Sequence, residues 1–96
     1  MAALATKSIT AQNTFSDAVQ LAGWFNVSIS NTFSATVTVQ RSFDNSTWRD
    51  VSSFTAPIEA VGMEPEVCWY RIGVKTGNFS SGQVDVRLGQ DGAFRS

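Results

Sequence analysis

The chain has 96 residues, 43% of them hydrophobic, with seven basic and eight acidic side chains and a net charge of −1. That length suits one domain with an ordinary globular core. The balanced charge argues against a nucleic-acid partner, which needs a clustered cationic face, and no apolar run approaches membrane-spanning length. One cysteine and no histidine leave no disulfide within the chain and no multi-cysteine zinc site, and they remove the commonest general base.

Residues 1 to about 8 carry little pattern, and Ser8 to Gln12 could form a short first strand. The opening MAALATKSIT has neither a charged n-region nor a sustained apolar h-region, so it is not read as a secretory signal. No turn chemistry folds this stretch back, and its few apolar side chains, chiefly Leu4 and Ile9, bury little alone. The expectation is an extended arm over 1–14 that lies on a neighbouring subunit or the surface it docks to, with a tail folded back on its own domain as the alternative, followed by a single domain over 15–96. Phe15 to Gly23 reads as a strand rather than a helical turn capped by Ser16 or Asp17.

In WFNVSIS, Phe25, Val27 and Ile29 alternate with Asn26, Ser28 and Ser30, the two-residue period of a strand with one buried face. Ser30-Asn31-Thr32 is a turn. Ala35, Val37 and Val39 then alternate with Thr36, Thr38 and Gln40. Asp44-Asn45-Ser46 is a second turn, closing a hairpin with Trp48 to Val51. SFDNSTW resembles the Asp-box turn of sialidase-like β-propellers, but it is one residue short, lacks the glycine and occurs once; it reads as a hairpin turn.

Val51 and Phe54 break the alternation, which marks a bulge or a strand end, and Ala56-Pro57 marks an edge or loop. IEAVGMEPE reads as a solvated acidic loop; its Glu59, Glu64 and Glu66 fall short of the oxygen set that calcium requires. Cys68, Tyr70, Ile72 and Val74 form the next inward set, with Trp69, Arg71 and Lys75 facing away, and Cys68 is a buried, inert thiol. Gly77-Asn78 is a turn, and Val84, Val86 and Leu88 mark the last strand. About seven short strands without a helix predict an all-β antiparallel sandwich, jelly-roll-like or Ig-like.

For chemistry the pattern offers little. The strand-borne Arg and Asp residues lack the facing carboxylates of a glycosidase, and no histidine or GxSxG elbow accompanies a serine. No catalytic, metal or cofactor residue is assigned, and the expectation is a protein that is not an enzyme. Trp24 and Trp69 fall opposite the inward sets, where each could stack on a sugar ring, anchor a protein interface or pack beneath the second sheet or a loop.

The order FNVSISNTFSATVTVQRSFDNSTWRDV, then the acidic loop running into EPEVCWYRIGV, then SGQVDVRLGQ is similar to small β-sandwich virion proteins of tailed bacteriophages. It looks most like capsid decoration (cement) proteins, through the hairpin, the E-x-E before an aromatic-rich strand and the closing VxVRLxQ. The resemblance implies attachment to the outside of the capsid over seams between major capsid proteins, often as a homotrimer, with no catalytic residues to carry over. Leu4, Ile9, Trp24 and Trp69 are then the candidate interface residues. The alternative expectation is a carbohydrate-binding module or a tail or fibre module for host attachment.

Overall fold

The computed structural model describes residues 3–90, and the two-residue alternation just traced builds most of its strands. They are β1 (Ala3–Ile9), β2 (Thr14–Phe15), β3 (Val19–Ser30), β4 (Phe33–Ala35), β5 (Val37–Ser42), β6 (Arg49–Phe54), β7 (Ile58–Val74), β8 (Phe79–Gly82) and β9 (Val84–Gln90). All pairing is antiparallel. One sheet runs β1-β9-β3-β7-β5-β6, with β2 also on β7, while β4 and β8 pair separately. The first strand is Ala3–Ile9 rather than Ser8 to Gln12, and the expected strand over Phe15 to Gly23 is divided between β2 and a β3 that runs on through WFNVSIS. The central strand breaks at Thr36 between β4 and β5; β8, which no expectation covered, has four residues, too few to show a period.

The long strands β3 and β7 turn this sheet into a sandwich. Leu21 pairs with Cys68 but Gly23 with Glu64, so Pro65, Glu66 and Val67 stand opposite Ala22 alone. Such an insertion bends and twists both strands. Gly23 takes φ 85° there, a left-handed conformation that a side chain disfavours, and Pro65, with no N–H to donate, is tolerated at a bulge.

On one side of the corner lie β1, β9, the second half of β3 and the first half of β7. On the other lie β2, the start of β3, the second half of β7, β5 and β6. Ile9, Val27, Ile29, Val84, Val86 and Leu88 of the first layer close onto Leu21, Val37, Val39, Tyr70, Ile72 and Val74 of the second, all buried in one core. The protein is thus an all-β antiparallel sandwich, as its alternation predicts. Phe25 bridges the layers, its ring 5.0 Å from that of Tyr70. Gly62, its cross-strand partner, leaves the room: a Cβ there would lie 2.5 Å from Phe25 Cζ.

Two expectations are corrected. The arm over 1–14 is instead an edge strand of its own domain, because Ala3–Ile9 pairs residue for residue with Val84–Gln90. Ile9 is 0% exposed, and burying such a side chain favours folding by about 1.5–3 kcal/mol; the partner strand lies 75 residues downstream of Ile9, at Val84, which no local pattern reveals. Of the arm, Met1 and Ala2 lie outside the described residues, as do residues 91–96 of the expected domain. The acidic loop IEAVGMEPE is the first half of β7, paired with β3 from Ile58 to Glu64. Its Gly, Pro and Glu are depleted in strands, and pairing to β3 overrides that local preference.

Candidate functional site

The outer face of the first layer is set by register. Trp24 pairs with Met63 and Asn26 with Val61, so these four side chains stand on one surface, with neighbouring pairs at the spacing of cross-strand contacts. Trp24 is 54% exposed, Met63 52% and Val61 72%. Leu4, 58% exposed, lies further along the same face through Gly89 and Asn26. Charged groups border this surface and are already engaged. Ser28 Oγ donates to Glu59 at 2.6 Å, and Arg87 Nη1 donates to Asn26 Oδ1 at 2.7 Å. The end of β9 holds the Trp24 backbone, with Gln90 Nε2 donating to the carbonyls of Ala22 and Trp24.

The candidate interface residues are therefore not brought together as a set. Leu4 and Trp24 share the outer face of the first layer. Ile9 is buried in the core of its own domain rather than presented on a surface, the correction that follows from β1 joining the sheet. Trp69 is half-buried and pairs with Gln20 and Ser42 on the second layer. The sequence reasoning missed Val61 and Met63, since it placed both in a loop. The third tryptophan, Trp48, has a structural partner: Arg71 lies between the rings of Phe15 and Trp48, at 4.2 and 4.4 Å. Arg71 Nε also donates to Gln40, which donates to Asp50, itself paired with Lys75 at 2.6 Å. This chain of contacts pins β2 and the Trp48 end of the hairpin loop onto the second layer.

At the corner sits a buried carboxylate. Glu64 is 2% exposed and accepts from the Tyr70 hydroxyl at 2.7 Å and from Arg41 Nη1 at 3.0 Å. Burial pushes the Glu64 carboxyl up, but the hydrogen bonds from Tyr70 and Arg41 outweigh it and leave the group below its ordinary range. The same contact raises Arg41, while burial first, then Glu64, push the Tyr70 phenol up. Burial likewise lifts the neighbouring Cys68 thiol to about 11, so at neutral pH it is not a thiolate. Glu59, Glu64 and Glu66 do not converge: Glu59 faces out toward Ser28, Glu64 faces in, and no trio of Asp, Glu or Cys among the described residues could hold a metal.

The hairpin loop is ordered by Asp44. Its Oδ1 accepts from Ser42 Oγ at 2.8 Å and from the N–H groups of Ser46 and Thr47 at 2.9 and 2.8 Å. The Thr47 N–H and then Ser42 hold its carboxyl down at about 2. Asn45 takes φ 59° in that turn, which asparagine tolerates better than most residues.

Between the first half of β7 and β6 the sandwich is open. β7 pairs with β3 on one side there, while β5 joins it only from Trp69 onward, so the other edge of residues 58–67 is unpaired among the described residues. A pocket of about 140 Å³ lies in this mouth, walled by Phe25, Val51, Phe54 and Met63. A scan against protein-family models, a search of curated proteins and a search of solved structures each found no match.

Proposed function

We propose that this chain is a non-enzymatic docking protein of a tailed-phage virion. In this reading it is a capsid decoration protein that sits on the outside of the assembled shell and bridges major capsid proteins, working as a homotrimer. The observation that carries the docking part is the Trp24–Met63–Val61 surface. Aromatic residues and Met are enriched at interface centres and charge is kept to the rim, which is how Glu59 and Arg87 flank it. The resemblance of residues 24–90 to cement proteins supplies the partner. Function would follow from mass action: a protein that binds only the assembled shell stabilises it by the free energy of binding, repeated at every site.

The test is co-sedimentation with empty shells. Trp24→Ala should weaken shell binding by about 30-fold or more, the usual loss at a tryptophan hot spot, while leaving thermal unfolding unchanged because the ring is exposed. Equal binding by the variant would overturn the reading. Copy number separates its branches, with hundreds per virion for decoration and a few to tens for a tail or fibre module. Exposure of Trp24 also favours the second reading, a carbohydrate-binding module, and tryptophan-dependent hits on a glycan array would put that reading first.

A further inference from the structure

We infer that the open side of the sandwich is a strand-acceptor groove. Its occupant is an extended segment of a partner polypeptide that carries an apolar side chain and, two residues away on the same face, a carboxylate. This deepens the docking reading above and rests on it. Four observations converge. The edge of β7 over 58–67 has no strand partner among the described residues, so its main-chain groups are available for strand addition, in which pockets for alternate side chains set specificity. The apolar pocket walled by Phe25, Val51, Phe54 and Met63 opens beside that edge.

A second pocket, of about 260 Å³, is walled by Arg41, Phe43, Thr47, Arg49 and Asp44. The two follow one another along the groove. Val39 and Arg41, successive same-face residues of β5, front the first and the second in turn. β7 runs past both, with Gly62 and Met63 at the apolar end and Glu64 reaching Arg41. Same-face positions of a strand lie about 6.5–7 Å apart, which sets the i, i+2 spacing of the occupant.

Charge selects a carboxylate for the second position. Arg41 and Arg49 stand directly opposite one another, a like-charge pair that costs stability unless an anion answers it. Glu64 answers Arg41 from within the core. Asp44 lines the pocket, but its carboxylate is held by the loop N–H groups and Ser42. The ion pairs among the described residues are Arg41–Glu64 and Lys75–Asp50, so Arg49 has none.

The probe is the capped peptide Thr-Leu-Thr-Glu-Thr-Val-Thr, which presents an apolar side chain two residues from the carboxylate in either strand direction, with a Lys-for-Glu control. Titrated into the whole protein and followed by amide chemical shifts, the Glu peptide should move residues of β6 and of 58–67 and bind at least about tenfold tighter than the control. Arg49→Glu should reverse that preference. Shifts at Trp24, Val61 and Met63 that reach no residue of β6, equal binding of both peptides, or a preference that Arg49→Glu leaves untouched would overturn the groove. So would no binding at millimolar peptide. Shell binding measured on the same variant separates the two readings: a groove that fails while Trp24-dependent shell binding persists leaves the docking reading intact.

Discussion

Replacing Tyr70 by Phe removes one hydroxyl and keeps the ring that packs on Phe25, so it isolates the hydrogen bond to Glu64. That bond is 2.7 Å long and lands on a carboxylate 2% exposed. A hydrogen bond to a charged group contributes about 1.5–3 kcal/mol. Arg41 still meets the carboxylate in the variant, so we expect a loss of about 2 kcal/mol, at the middle of that range. In a domain of this size such a loss lowers Tm by about 8–16 °C and removes a sizeable part of a total stability of about 5–15 kcal/mol. Its pH dependence is equally specific. Glu64 is held below its unfolded value of about 4.3, so its contribution is fully present above that value and is lost as pH falls through the folded pKa. Without the Tyr70 hydroxyl, burial pushes the carboxyl up against Arg41 alone, the folded pKa rises, and the acid-side loss of stability shrinks. Urea unfolding of both proteins at neutral pH and across pH 5 to 3 measures both effects. A variant within about 0.5 kcal/mol of the parent, the span of ordinary surface substitutions, with an unchanged acid limb, would refute this account of the corner.

Ile9→Ala should cost about 2–5 kcal/mol, as truncating a fully buried aliphatic does, and deleting residues 1–12 should destabilise the sandwich itself; denaturant curves matching the parent would return this segment to an external arm. Cys68, buried and lifted to about 11, should react with a thiol reagent in the folded protein at pH 8 only at the rate of unfolding; fast stoichiometric labelling without denaturant would contradict its burial.

Much of the fold is written in short-range alternation. Val27, Ile29, Val37, Val39, Ile72, Val84 and Val86 each alternate with a polar neighbour, and every one is buried, because a strand's period of two fixes which side chains share a face. The turns at Asn31 and Asn45 and the bulge near Val51 were legible for the same reason: their chemistry is local. Trp24 was legible as an outward residue from its parity alone.

What lay beyond the sequence is pairing across distance. Nothing near Ala3–Ile9 says that Val84–Gln90 will receive it, and a peripheral-looking segment with Ile9 in it becomes part of the core only once that ladder forms. Nothing local to IEAVGMEPE overrides its glycine, proline and glutamates; pairing with β3 does so from across the sheet, where Phe25 takes the space above Gly62. The corner decided the rest. By setting three residues of β7 against one of β3, it moves Met63 and Val61 opposite Trp24 and Asn26 on the outer face, lets the inward-facing Glu64 meet Tyr70 and Arg41, and opens the mouth between β7 and β6. A linear pattern reports which side of its own strand a residue occupies, whereas the partner of that side is a property of the closed sandwich.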